Sequence, residues 1–199
     1  MEGERPLRAD TRRTRERLLD VMGKLLEEKG LDFSLPDLAR ESGVATATVY
    51  RHFDDLGELR QEFYNRFVSQ LVTRMRGLAG QYAGEELLHR MCQAWVASAL
   101  PFARAATFIR SAEGYLERVR SGDPFVHHLH TDVLVPVIDR LIADGVLPDQ
   151  NRDYAALVWI TLFDERVLID LAEALDWDVD RIADRLRTTL LGALGSDSV

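Results

Sequence analysis

Residues 34–53 read SLPDLARESGVATATVYRHF and constrain the fold more than any other part of the chain. Ser34-Leu35-Pro36-Asp37 carries the start signals of a helix: a serine cap, a proline in the first turn and an acid three residues on. That helix is short and stops at Gly43, where glycine permits the positive φ of a tight turn. A second short helix over 45–53 follows. Leu38, Val44 and Val49 are spaced to face a preceding helix, and Ala39 is small enough to let the second helix approach closely. Two such helices joined by Ser42-Gly43-Val44 make a helix-turn-helix, the geometry that sets the second helix into a DNA major groove.

Burying Val49 turns Thr46, Ala47, Thr48 and Tyr50 outward. Threonine offers a hydroxyl to base edges and a methyl to thymine, and alanine can also touch the thymine methyl. Tyr50, Arg51 and His52 carry donors suited to phosphate oxygens. Ser34 is counted with these contacts, and Phe53 is placed in the core.

Nearly every other segment also has helical period. Leu18, Met22, Leu25 and Leu26 form one apolar stripe, with Asp10 or Thr11 as the expected cap and Gly30 as the stop. Asp55 to Glu58 resembles a capping box and opens a long fourth helix. Three glycines within 77–84 mark a boundary. Helices are then expected from Glu85 to near Pro101, as one or two short pieces to about Arg120, over 125–144, over 151–175 and over 179–194. No useful β alternation appears. The predicted class is all-α, with about nine helices: a basic arm over 1–9, a helix-turn-helix domain over 10–66, and a helical ligand-binding and dimerisation domain over 67–199.

The formal charge of −8 argues against a DNA partner, but the charge is unevenly placed. Residues 1–66 hold 12 basic and 14 acidic residues, and the remainder holds 13 and 19. Six arginines fall between positions 5 and 17. A local basic surface binds phosphate whatever the overall charge. Hydrophobic residues at 46% allow a sizeable core, and no apolar run reaches the length of a membrane helix. The single cysteine, Cys92, excludes an internal disulfide and a thiolate zinc cage, and the expected setting is a reducing cytoplasm.

With a helix before it and a long helix after it, LPDLARESGVATATVYRHF resembles the TetR family of one-component regulators. The resemblance covers about residues 10–66; the rest matches in helical layout alone. It implies a homodimer on a pseudo-palindromic operator, usually a repressor released by a small molecule, with recognition helices about 34 Å or more apart. Two positions depart from the family pattern. Members often carry lysine where Leu56 stands, so a phosphate there would rely on the helix N-terminal N–H. Thr46 stands where lysine or glutamine is frequent. The segment over 5–13, with Arg5, Arg8 and Arg12, is expected to add affinity by reaching a minor groove, against the alternative of a solvated tail.

In the remainder, the helix over 151–175 has two apolar faces. One holds Ile160, Phe163 and Leu168, and the other Val158, Leu162 and Ile169. With Ile182, Leu186 and Leu190 of the last helix, the second face is expected to form a dimer interface. Asp164 falls within the first face, where a carboxylate needs a partner. It is read as a pocket anchor or as a structural ion pair, with Arg104 or Arg110 as possible partners. Trp95, Phe102, Phe108, Tyr115, Phe125, Trp159 and Phe163, with His128, are the candidate lining of a pocket for a small-molecule effector. His127 and His130 share a helix face, but nothing nearby completes a metal site, and no catalytic constellation or cofactor motif is evident. Alternatives are an activator or ligand-independent regulator of the same fold, a small all-α metal enzyme using the histidines, and a helical scaffold without DNA binding.

Overall fold

The computed structural model describes residues 4–109 and 113–195; for 4–9, 108 and 109 it describes the backbone. The side chains of Arg5, Arg8 and Phe108, and the whole of Arg110, therefore lie outside the described residues. Among the described residues every regular element is helical. The chain divides into two compact units, one ending at Arg66 and the other beginning at Phe67.

The first unit contains α1 (Glu4–Lys29), α2 (Leu35–Ser42), α3 (Thr46–His52) and the start of α4 (Leu56–Ala79). α1 begins well before the cap expected at Asp10 or Thr11, so the backbone over 4–9 is helix, not an extended arm. Pro6 falls in its first turn, where a missing N–H costs nothing. Leu18, Met22 and Leu25 of α1 meet Leu38, Val49 and Leu59 in a core with essentially no exposure. Each such side chain contributes about 1.5–3 kcal/mol on burial.

α2 is held at both ends. Asp37 N–H donates to Ser34 Oγ at 3.3 Å, and Ser34 N–H donates to Asp37 Oδ2 at 3.0 Å. Gly43 adopts φ +65°, and its N–H and that of Val44 return to the carbonyls of Arg40 and Ala39. An alanine at 43 would be strained by that φ, and its Cβ would lie 3.3 Å from Arg17 Nη2. α4 runs on past Gly77, so the glycine-rich stretch marks the end of a helix rather than the division between units, which falls inside α4.

In the second unit α5 (Gly84–Ala99) continues through a 3-10 turn into α6 (Ala103–Ile109). α7 (Tyr115–Ser121) follows. α8 (Pro124–Leu129), a π turn over His130–Leu134 and α9 (Val135–Ala143) make one continuous rod. α10 (Arg152–Leu162) and α11 (Glu165–Ile169) are separated at Phe163 and Asp164, and α12 (Val179–Gly195) closes the unit. Taking α5 with α6, α8 with α9 and α10 with α11 gives nine helices among the described residues. α5, α9, α10 and α12 close a four-membered ring, each packed on the next.

That ring corrects two expectations. Ile182, Leu186 and Leu190 were expected at a dimer interface, but they are buried within this chain, where α12 lies along α5. The helix expected over 151–175 is broken. Asp164 takes an extended ψ of 137°, caps α11 by accepting from Arg166 N–H at 2.9 Å, and also binds the Arg166 guanidinium at 3.1 Å. It is half-buried and paired with Arg166 of the helix it caps, which is the structural ion pair of the two readings, made with an arginine other than the two expected. Arg104 pairs with Glu173 instead.

Candidate nucleic-acid interface

α3 hangs from Val49, which has no exposure, and from Phe53 at its C-terminal cap, which is 1% exposed. Thr46, Ala47, Tyr50 and Arg51 are exposed, and Thr48 and His52 are half-exposed. Tyr50, at 52% exposure, is among the large hydrophobic side chains left in solvent. The same residues that anchor the helix therefore leave a continuous polar face. Arg51 Nη2 donates to Thr48 Oγ1 at 2.8 Å across one turn of that face.

Arg15 was not singled out from its arginine-rich neighbourhood, yet it holds α3 in place. Its Nη1 donates to the His52 carbonyl at 2.7 Å, and its Nε and Nη2 grip Glu62 of α4. Its guanidinium also lies 4.5 Å from the centre of the Phe53 ring. The only sequence signal was a Glu four residues after Glu58, on the helix face that also carries Leu59. Arg15→Met, which keeps the stem and deletes the fork, is expected to lower the stability of this unit by about 2 kcal/mol in urea unfolding.

His52 is held below its ordinary pKa by burial first, then by the charges of Arg15 and Arg51. At neutral pH it is an uncharged N–H donor. The unfolded chain binds this proton more readily, so the unit loses stability as pH falls below about 6.5. A phosphate beside the ring favours the charged form, so DNA affinity should rise over the same interval. Anisotropy titrations from pH 7.5 to 5.5 should show this opposite sign, and His52→Gln should flatten both trends.

Ser34 is exposed, and its hydroxyl is bonded to the Asp37 carboxylate at 2.6 Å, which helps hold Asp37 down at about 2. Leu56 opens α4 beside acids: Asp55 Oδ1 accepts Glu58 N–H and Glu58 Oε2 accepts Asp54 N–H, both at 2.8 Å. A phosphate at this helix end would meet carboxylates already capping it, which weakens the backbone contact expected of Leu56. Arg12 is solvent-exposed and 3.5 Å from Glu16.

Inside the second unit, Trp95, Trp159 and Phe163 form one aromatic cluster with centroid separations of 5.8–6.5 Å. All three are buried, and among the described residues the Trp159 Nε1–H has no hydrogen-bond partner. Phe102 packs edge-on against Phe67 at 5.9 Å. Phe125 is half-buried on α8. Tyr115 lies apart from the tryptophans: its hydroxyl meets His130 Nδ1 at 2.9 Å, and His130 Nε2 meets Asp153 at 3.2 Å. Burial, then Asp153, raises the Tyr115 pKa, so the phenol keeps its proton. The histidine of the interior is thus His130. His128 is exposed and pairs with Asp132, which also binds Arg76. His130 continues the buried stripe of Val126, Leu129 and Val133 at helical spacing, whereas His128 falls on the outer side, which reverses the expected choice. Among the described residues no group of three or more His, Cys, Asp or Glu is placed to hold a metal ion, and no helix is long and apolar enough to cross a membrane.

A compact helix-turn-helix with a polar outer face defines a DNA-binding domain. Residues 18–63 match the model for bacterial regulatory proteins of the tetR family. An HTH-type transcriptional regulator of Staphylococcus aureus is 29% identical over 77 residues, 38% of this chain and 42% of its own length. The chain thus spans about two fifths of the curated relatives it matches. The fold as a whole is similar to the fatty acid degradation regulator FadR of Bacillus halodurans, with TM-score 0.71, 15% identity, and 90% and 95% of the two chains covered. FadR of Bacillus subtilis, solved with stearoyl-CoA, gives 0.68 at 15% identity over 88% and 97%. The ketosteroid regulator KstR2 of Mycobacterium tuberculosis gives 0.55 at 17% over 92% and 96%.

Proposed function

We propose that this chain is a cytoplasmic transcriptional regulator that binds a pseudo-palindromic operator as a homodimer, acting as a repressor released by a small molecule bound in the second unit. The observation that carries the reading is α3: Val49 fully buried, with Thr46, Ala47, Tyr50 and Arg51 exposed around it. Dimerisation falls to the half-buried apolar residues Val158 and Leu162 of α10 and Ile169 of α11, together with exposed Tyr154. The stripe of α12 takes no part in it. The aromatic interior around Trp95 and Trp159 supports an apolar effector, and the stearoyl-CoA complex of Bacillus subtilis FadR gives a first probe.

Release requires that the effector prefer the DNA-incompetent state, and DNA then weakens effector binding by the same factor. Selection from random DNA by the full-length protein should return paired half-sites whose centres lie about one helical turn or more apart. Recovery of no preferred sequence would sink the reading. Thr48→Ala combined with Tyr50→Ala should abolish specific binding and leave salt-sensitive nonspecific binding.

A further inference from the structure

We infer that Arg51 is a base-reading residue, positioned by Thr48, and that each half-site carries a guanine opposite it. The inference rests on the proposed DNA-reading role of α3 and assigns its specificity. With Val49 pointing straight into the core, a rise of about 100° per residue puts Ala47 and Arg51 each within about 20° of the opposite, outward direction. Thr48 and Tyr50 fall to either side, and His52 falls back toward the core edge. The side chain best aimed away from the domain is therefore Arg51, not the flanking groups that reach along the strands.

Its direction along the helix is also fixed. Helix side chains lean toward the N-terminus, and the bond from Arg51 Nη2 to Thr48 Oγ1, at 2.8 Å, holds the guanidinium over the preceding turn. The residue one turn back on the same face is Ala47, which is exposed and offers nothing longer than a methyl group. The guanidinium thus lies over the space that Ala47 leaves open. One of its five N–H donors is given to Thr48, and a planar edge is left to project outward. That edge matches the O6 and N7 acceptors of guanine in the major groove. Thr48 spends its acceptor on orienting Arg51, so it acts as a positioning residue. A short-looking recognition helix, with Thr46 and Ala47 at its head, gains its long polar arm from a residue nearer its end.

The test uses the full-length protein and the half-site recovered from random DNA. The expected half-site has a guanine at one position, and replacing it by 7-deazaguanine, which lacks N7, weakens the wild type. Arg51→Gln should lose about 10–100-fold of the discrimination at that position, keep the preferences elsewhere, and be indifferent to the 7-deaza change. Thr48→Val should lower the same discrimination, and Thr48→Ser, which restores the acceptor, should recover it. An Arg51→Gln variant that weakens all sequences equally and lowers the salt slope by about one per contact would make Arg51 a phosphate contact and overturn the inference. Failure of the wild type to select any sequence would instead count against DNA reading by α3 itself.

Discussion

Trp159→Ala should lower the stability of the second unit by about 3–5 kcal/mol, the cost of emptying a large site that neighbouring side chains cannot collapse into. Trp159 is 1% exposed and contacts both Trp95 and Phe163, and it sits on α10, which packs on both α9 and α12. Trp159→Phe should behave differently. It removes the indole N–H, a buried donor with no partner among the described residues, and so offsets lost packing against a desolvation cost that is no longer incurred. It should stay within about 1 kcal/mol of the wild type in denaturant unfolding. If phenylalanine proves as damaging as alanine, the indole N–H is contributing a bond of its own. The same pair of variants bears on the effector. A molecule with a hydrogen-bond acceptor seated at this donor would bind Trp159→Phe more weakly while leaving its stability intact.

The second large effect concerns assembly. Val158→Glu should leave the unit folded, since Val158 is only half-buried, yet convert the protein to monomers in sedimentation. Operator affinity should then drop about 100-fold or more, because two linked half-site contacts become two independent ones. By contrast, Leu186→Glu should unfold the second unit, because Leu186 is buried between helices of the same chain. Equal behaviour of the two variants would refute the division between α10 and α12 drawn above.

The first unit could be read from the chain because its signals are local. The Ser34 cap, Pro36, the Gly43 turn and the single buried Val49 each act within a few residues, and together they decide which side of α3 faces out. The start of α1 was misjudged because Asp10 and Thr11 look like caps, while Pro6 in the first turn was the stronger signal. In the second unit the information is less local. Two apolar faces on one helix are compatible with a dimer seam or with a closed bundle. The choice depends on where α5 and α9 pack, which periodicity does not encode.

Asp164 shows the same limit on a smaller scale. An acid followed by Glu165 is a helix-start pattern, but within a long apolar period it was taken for a buried charge. His130 was legible, because it falls on the same helical stripe as Val126, Leu129 and Val133, while His128 falls on the exposed side. Arg15 was hidden by its neighbours, since nothing in a run of arginines distinguishes the one that folds inward.

Cys92 has no exposure, and burial pushes its thiol up to about 12, against a smaller lowering by Arg187 and with a small further rise from Asp184. It is the only cysteine in the chain, so the native protein presents no reactive thiolate at neutral pH. A cysteine introduced at an exposed position such as Ala47 would take a maleimide or nitroxide label alone, without prior removal of Cys92. In a two-copy assembly, that one label reports the separation of the two α3 helices directly, with and without a candidate effector.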